Sequence, residues 1–204
     1  MDYKTKIMTE VESLPKSLLP NVLSYIKTLK PQADSKSKLT IKPKSASATS
    51  KDTIVIYTDG ACTGNPGAGG YGAVLIYGDR RQEISGGYKL TTNNRMEMMA
   101  AIAALKSLEE KSTVTLHSDS KYLVDAVTKG WAKKWQANGW KRNKKDKAKN
   151  PDLWQEMLDL CQQHQVDFVW VKGHAGIPEN ERCDRLAVVA AKGINLPPDN
   201  GYDG

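Results

Sequence analysis

Four acids stand out by where they fall in the chain. Asp59 closes the apolar run TIVIYTD (53–59), and Asp119 closes TVTLHSD (113–119). Each reads as a carboxylate at the end of a buried strand, and strand ends in a helix-covered sheet are where sites are assembled. Glu97 shares a helical face with Ala101, Ala104 and Leu108, and Asp184 shares one with Ala187, Val188 and Ala191. Carboxylates on such faces are costly to bury unless something positive meets them. Four that converged would raise one another's pKa unless a divalent cation held them ionised, and ligands that are all oxygen favour Mg²⁺ or Mn²⁺ over zinc. Taken singly, each acid also has a simpler role open to it. Asp59 or Asp119 could cap a turn or helix, Glu97 could answer a helix dipole, and Asp184 could pair with an arginine. His174, in Val-Lys-Gly-His-Ala-Gly after a strand, is placed for a proton shuttle on a flexible loop, whereas His117 and His164 read as structural.

The segment TDGACTGNPGAGGYG (58–72) contains Gly67-Ala-Gly69-Gly-Tyr-Gly72, which matches the dinucleotide spacing G-x-G-x-x-G. That fingerprint requires a helix after the glycines, with its N-terminus facing the pyrophosphate. Here AVLIY follows, which reads as strand, so a nucleotide cofactor is not expected. Asn65-Pro66-Gly67 is turn chemistry, and the remaining glycines would keep bulk away from a neighbour or a substrate.

These residues have to be positioned by a mixed sheet. Strands are expected over 53–59, 71–79 and 83–90, then a helix over 91–110 with Thr and Asn capping candidates, and a strand over 113–119. Helix and strand then alternate through SKYLVDAV, PDLWQEMLDLCQQH, VDFVWVKGH and ENERCDRLAVVAAKG, which implies an α/β layer fold. Residues 1–32 read as a short helical segment too small to bury its own apolar stripe, which must dock on the main domain or on a partner. Residues 33–52 read as a flexible basic linker, residues 53–194 as the main domain, and residues 195–204 as an unstructured tail.

Charge is concentrated rather than spread. Residues 129–149 carry nine Lys/Arg against one acid, and residues 1–52 carry ten against five, within a net charge of +7. A local basic patch suits a polyanion such as nucleic acid, with a plain solvated face as the alternative. In this segment Trp131 and Trp135 have the four-residue spacing of a buried helical stripe, which leaves Lys133, Lys134 and Lys141 to project outward. Three scattered cysteines fit a reduced chain, and no apolar run reaches the ~18 residues of a membrane span. The N-terminus has neither a signal-peptide core nor the acid-free character of a transit peptide, so a cytoplasmic protein without membrane attachment is expected.

From about residue 53 to 193 the chain resembles bacterial type 1 ribonuclease H. The resemblance rests on YTDGACTGNPG, TTNNRMEMMAAI, SDSKYL, the spacing GWxxxWxxxGWK, NPDLW and WVKGHAGIPENERCDRLA, in the family's order. It implies an RNase H-like fold with a five-stranded mixed sheet and flanking helices. It also implies an endonuclease that cuts the RNA strand of RNA–DNA hybrids, leaving 3′-hydroxyl and 5′-phosphate ends. Asp59, Glu97, Asp119 and Asp184 match the family's four metal-binding carboxylates, which hold two Mg²⁺ ions about 4 Å apart, Mn²⁺ being a substitute. His174 matches a histidine that assists proton movement or product departure. Cys62, Asn65, Asn93 and Asn94 match contacts to the hybrid's backbone and ribose hydroxyls, with Thr92 beside them against a DNA phosphate. The segment with Trp131, Lys133, Lys134, Trp135 and Lys141 matches the basic protrusion that grips the DNA strand, and the catalytic domain is expected to be monomeric.

Two features depart from that family. Lys121 stands where many relatives carry Gln, and a lysine reaches phosphate but accepts no ribose hydrogen bond. Residues 1–52 do not match the family's N-terminal hybrid-binding module. The other readings open at this stage are a non-catalytic hybrid- or RNA-binding protein on the same fold and another nuclease of the same superfold.

Overall fold

The computed structural model describes residues 53–203, so the expected helical segment 1–32 and linker 33–52 lie outside the described residues. Five strands form one sheet in the order β3-β2-β1-β4-β5: β1 (Thr53–Cys62), β2 (Gly67–Tyr77), β3 (Arg80–Thr91), β4 (Thr113–Ser118) and β5 (Gln165–Trp170). The first three pair antiparallel, and β1, β4 and β5 run parallel. The helices are α1 (Asn93–Lys106), α2 (Lys121–Thr128), α3 (Trp131–Ala137), α4 (Pro151–Gln163) and α5 (Pro178–Ala191). This is the mixed α/β architecture expected from the order of apolar runs.

The pleat divides the sheet into two unlike faces. Ile54 and Ile56 of β1, Val114 and Leu116 of β4, and Phe168 of β5 point to the side that carries the main core. That side is closed by Met98, Ala101, Ile102 and Leu105 of α1, Leu123 of α2 and Trp154 and Met157 of α4. Helix α5 packs on the opposite side, against β1, β2 and β3. Tyr122, Trp135 and Trp154 form an aromatic knot with centroids 5.6 to 6.3 Å apart, which fastens α3 to α2 and α4.

Strand β1 runs three residues past Asp59, and β2 begins at Gly67 rather than Tyr71, so the expected long glycine loop shrinks to residues 63–66. The ladder continues because glycines take part in it: Asp59 pairs with Gly72, Ala61 with Gly70 and Cys62 with Gly69. Cβ atoms at Gly70 and Gly72 would run into the backbone of α5 at Ala187 and Cys183. Gly70 and Gly72 therefore let a helix lie close on the sheet, the close approach to a neighbour that the sequence offers as one of two readings.

The tail from Asn195 is also not the free end its composition suggests. Lys89 N–H donates to the Pro197 carbonyl at 3.0 Å, which extends the β3 edge. Asp199 is buried, where Thr91 Oγ1 donates to its carboxylate at 2.7 Å and Arg95 Nε at 2.6 Å. Arg95 itself is 1% exposed and donates two further bonds to Asp152, at 2.7 and 3.0 Å. One guanidinium thus ties α1, the start of α4 and the tail together.

Candidate active site

Each acid reaches the site by a different route. Asp59 is carried by β1 in mid-ladder, 7% exposed, and its Oδ1 accepts from the Gly60 N–H at 2.7 Å. Glu97 lies one turn into α1, 6% exposed, and its Oε1 accepts from Asn93 Nδ2 at 3.4 Å. Helix α1 sits directly on β1 there, because a Cβ at Gly60 would overlap the backbone of Met96 and Glu97. Asp119 stands one residue beyond β4, where Asn180 Nδ2 donates to its Oδ2 at 3.3 Å and Trp170 Nε1 to its backbone carbonyl at 3.1 Å. One carboxylate oxygen from each of Asp59, Glu97 and Asp119 lies within 4.8 Å of the other two.

Asp184, half-buried on α5, lines the same cleft and acts on Asp59 through its charge, but stands outside that close triad. His174 lines the cleft from the loop after β5, exposed and with a positive φ of 51° that polar side chains tolerate better than branched ones. Cys62, Asn93 and Gly173 complete the walls.

The electrostatics of this arrangement are unfavourable without a cation. Burial pushes Asp59 up to about 7, with the charges of Asp119 and Asp184 adding to it and the Gly60 N–H opposing it. Glu97 is raised well above the ordinary glutamate range, by burial first and then by Asp59 and Asp119. Glu97 Oε2 is buried with no hydrogen-bond partner among the described residues, although buried acceptors are normally satisfied. A divalent cation would satisfy that oxygen and hold Asp59 and Glu97 ionised, so the residues present fit a metal ligated by oxygen.

A pH dependence follows. Folded Asp59 and Glu97 bind protons more tightly than the unfolded chain does, so their contribution is full below the ordinary carboxylate pKa and is lost as pH rises towards about 7. Above about pH 5, lowered acids such as Glu83 and Asp199 are ionised in both states and do not interfere. Burial lowers His117 and His164, which act the opposite way over this range, so in chelator the melting temperature is expected to fall between about pH 5 and 7 relative to that of Asp59→Asn, and Mg²⁺ to restore it at the upper end. Thermal melts of both proteins with and without Mg²⁺ check this, and a difference between them in chelator that does not change with pH would contradict it.

The RNase H family model matches residues 51–192. The chain is 70% identical over 150 residues to ribonuclease H of Rippkaea orientalis, covering 74% of this chain and 92% of that one. It is 64% identical over 156 residues to ribonuclease HI of a Synechocystis species, covering 76% and 98%. Among solved structures, LC9-RNase H1, described as a type 1 RNase H with the type 2 active-site motif, superposes with a TM-score of 0.64 at 32% identity, covering 76% and 78%. The chain belongs to the RNase H family. It is an endoribonuclease of the kind that hydrolyses RNA in RNA–DNA hybrids.

The other residues that the RNase H resemblance implicates fall into two groups. Near the acids, Asn65 Oδ1 accepts from the Asn93 N–H at 3.2 Å. The β1–β2 turn thereby caps α1, a task that the Thr92 side chain at the N-cap does not perform. Asn94 is exposed beside it, and Cys62 Sγ is aimed at the Gly67 and Thr91 carbonyls at 3.4 and 3.5 Å. Lys121 begins α2 with its Nζ 5.3 Å from the centroid of the Trp170 ring. In the basic segment, Lys133, Lys134 and Lys141 are exposed, and Trp131 is 39% exposed beneath the Lys129 ammonium. Trp135 is 7% exposed within the aromatic knot, so it holds the segment to the core and does not face a substrate. Sequence reasoning missed Asn180 and Trp170. Asn180 had a readable signal, because it lies four residues before Asp184 on the same helical face.

Proposed function

We propose that the chain cuts the RNA strand of RNA–DNA hybrids endonucleolytically, leaving 3′-hydroxyl and 5′-phosphate ends. Asp59, Glu97, Asp119 and Asp184 would hold two Mg²⁺ ions, with Mn²⁺ able to replace them. The observation that carries this reading is the convergence of three carboxylates, Asp59 and Glu97 buried and Asp119 half-buried, with Glu97 Oε2 left without a partner among the described residues. When bound, the ions supply water activation and charge stabilisation at the leaving 3′-oxygen. The protein's own part is to bring acids from a strand, a strand end and two helices to one point, on elements fixed by the core. His174, exposed at the mouth of the cleft, is placed to take or return a proton there. Cys62, Asn65, Asn93 and Asn94 stand where ribose hydroxyls, which distinguish RNA from DNA, would be read. Thr92 and Lys121 would meet phosphate, as would Trp131, Lys133, Lys134 and Lys141 on the protrusion.

The test is a panel of RNA–DNA hybrid, double-stranded RNA and double-stranded DNA with Mg²⁺. Cleavage confined to the RNA of the hybrid, with 5′-phosphate ends, supports the reading. Binding without cleavage would favour the non-catalytic alternative, which the retention of all four acids speaks against. Cleavage of duplex DNA would favour another nuclease of the superfold.

Among the described residues Cys62, Cys161 and Cys183 are free, which suits a reducing, cytoplasmic setting, and we take the catalytic domain as a monomer. For residues 1–52, the excess of basic over acidic residues points to a tether that adds affinity for the hybrid. Deleting residues 1–50 is expected to weaken hybrid binding and flatten its salt dependence. An unchanged salt slope would point instead to docking or to no role.

A further inference from the structure

Asp119 is the least securely mounted of the three close acids. Asp59 sits inside a ladder and Glu97 inside a helix, but Asp119 lies just past the last paired residue of β4, Ser118. Nothing in the strand fixes its side chain, and a carboxylate that swings away from the other two supplies no ligand. The structure surrounds it with three constraints, one from the last residue of β5 and two from the segment that follows. Trp170 Nε1 holds its backbone carbonyl at 3.1 Å. Gly173 lies so close that a Cβ there would come within 2.7 Å of Asp119 Oδ2. Asn180, 2% exposed at the start of α5, donates its amide to the same Oδ2 at 3.3 Å.

The amide is informative because half of its bonding capacity is unused. Asn180 Oδ1 is buried with no partner among the described residues. A buried polar atom without a partner is costly, so a residue kept in that state is held for what its other end does. The amide orientation is also fixed by chemistry, since turning it over would set Oδ1 against a carboxylate oxygen. A neutral donor is the group that can orient Asp119 without cancelling its charge. An Arg or Lys there would compete with a cation for the carboxylate, and another acid would add to the repulsion.

We infer that Asn180 is a positioning residue for the metal site, binding Asp119 Oδ2 so that the carboxylate's remaining oxygen is presented towards Asp59 and Glu97. This rests on the metal reading proposed above. Outer partners of metal ligands commonly change metal affinity on the order of 10- to 100-fold when removed.

The experiment titrates the full-length protein with Mn²⁺ in the absence of nucleic acid, following free Mn²⁺ by electron paramagnetic resonance. The proteins compared are wild type, Asn180→Leu, Asn180→Ala, Asn180→Gln and Asp119→Asn. Asn180→Leu keeps the branching and the number of side-chain heavy atoms and removes the donor, and is expected to weaken Mn²⁺ binding on the order of tenfold. The Mg²⁺ concentration for half-maximal cleavage should rise in parallel, while the KM for hybrid at saturating Mg²⁺ stays within about twofold. Asn180→Gln, which keeps an amide donor, should recover part of the affinity, which a purely structural role does not predict. If Asn180→Leu is not folded, Asn180→Ala serves the same comparison. Wild-type affinity in a folded variant lacking the donor would overturn the inference and leave the metal reading intact. Failure of wild type itself to bind Mn²⁺, with Asp119→Asn behaving identically, would overturn both.

Discussion

Asp59→Asn is expected to lower hybrid cleavage at saturating Mg²⁺ by at least about a thousandfold while leaving the fold in place, since loss of a metal-bound charge removes stabilisation made at the transition state. The substitution keeps the shape of the side chain and one acceptor oxygen, so the bond from the Gly60 N–H can remain. What it removes is a negative charge from a cluster whose members are already costly to ionise together. In chelator at neutral pH the variant should therefore melt at or above the wild-type temperature, because self-repulsion is relieved. Mg²⁺ should raise that temperature less than it raises the wild type's, as expected if a ligand has been lost. Lost activity with retained or increased metal-free stability separates a metal ligand from a structural acid. Wild-type turnover in this variant would show that Asp59 has no role as a ligand.

The second large effect concerns stability. Arg95→Ala is expected to cost about 3–5 kcal/mol, because it leaves Asp199 buried without its partner. For a domain of this size that corresponds to a melting temperature lower by roughly 10 °C. The bonds to Asp152 are worth much less, since that side chain is 39% exposed, and Asp152→Ala should cost no more than about 1 kcal/mol. Burial alone would raise the Asp199 carboxyl, but bonds from Arg95 and Thr91 hold it below the usual carboxylate range. Its contribution is therefore present above the ordinary aspartate pKa and is lost as pH falls below it, so Arg95→Ala should flatten the acid side of the stability profile. Denaturant melts at pH 7 and at about pH 3 check both points. Equal costs for the two substitutions would mean that the tail carboxylate is not the partner that matters.

The acids were legible in the sequence because their signal is local. Glu97 and Asp184 repeat at helical spacing with apolar neighbours, and Asp119 follows directly on a strand. Asp59 reads as the close of a strand but lies in mid-ladder, since glycines that read as loop are paired with β1. What the sequence hid are contacts between distant segments. Asn65 caps a helix 28 residues on, and Asp199 meets a guanidinium 104 residues before it. Neither pairing leaves a periodic trace, and a Pro- and Asn-rich tail gives no sign that one of its acids is buried. Trp131 and Trp135 show the same limit within one helix. Their spacing puts both on a stripe, but only the tertiary neighbours Tyr122 and Trp154 decide which one is covered.

The most direct test of metal chemistry at this cluster is cleavage of a hybrid carrying a single phosphorothioate at the scissile linkage, compared in Mg²⁺ and in Mn²⁺. If the ions held by Asp59, Glu97, Asp119 and Asp184 contact the reacting phosphate, sulfur should slow the Mg²⁺ reaction at that linkage by about tenfold or more, and the softer Mn²⁺ should restore most of the rate. An equal sulfur effect with both ions, or undiminished cleavage in chelator, would contradict a metal-ion mechanism at these carboxylates.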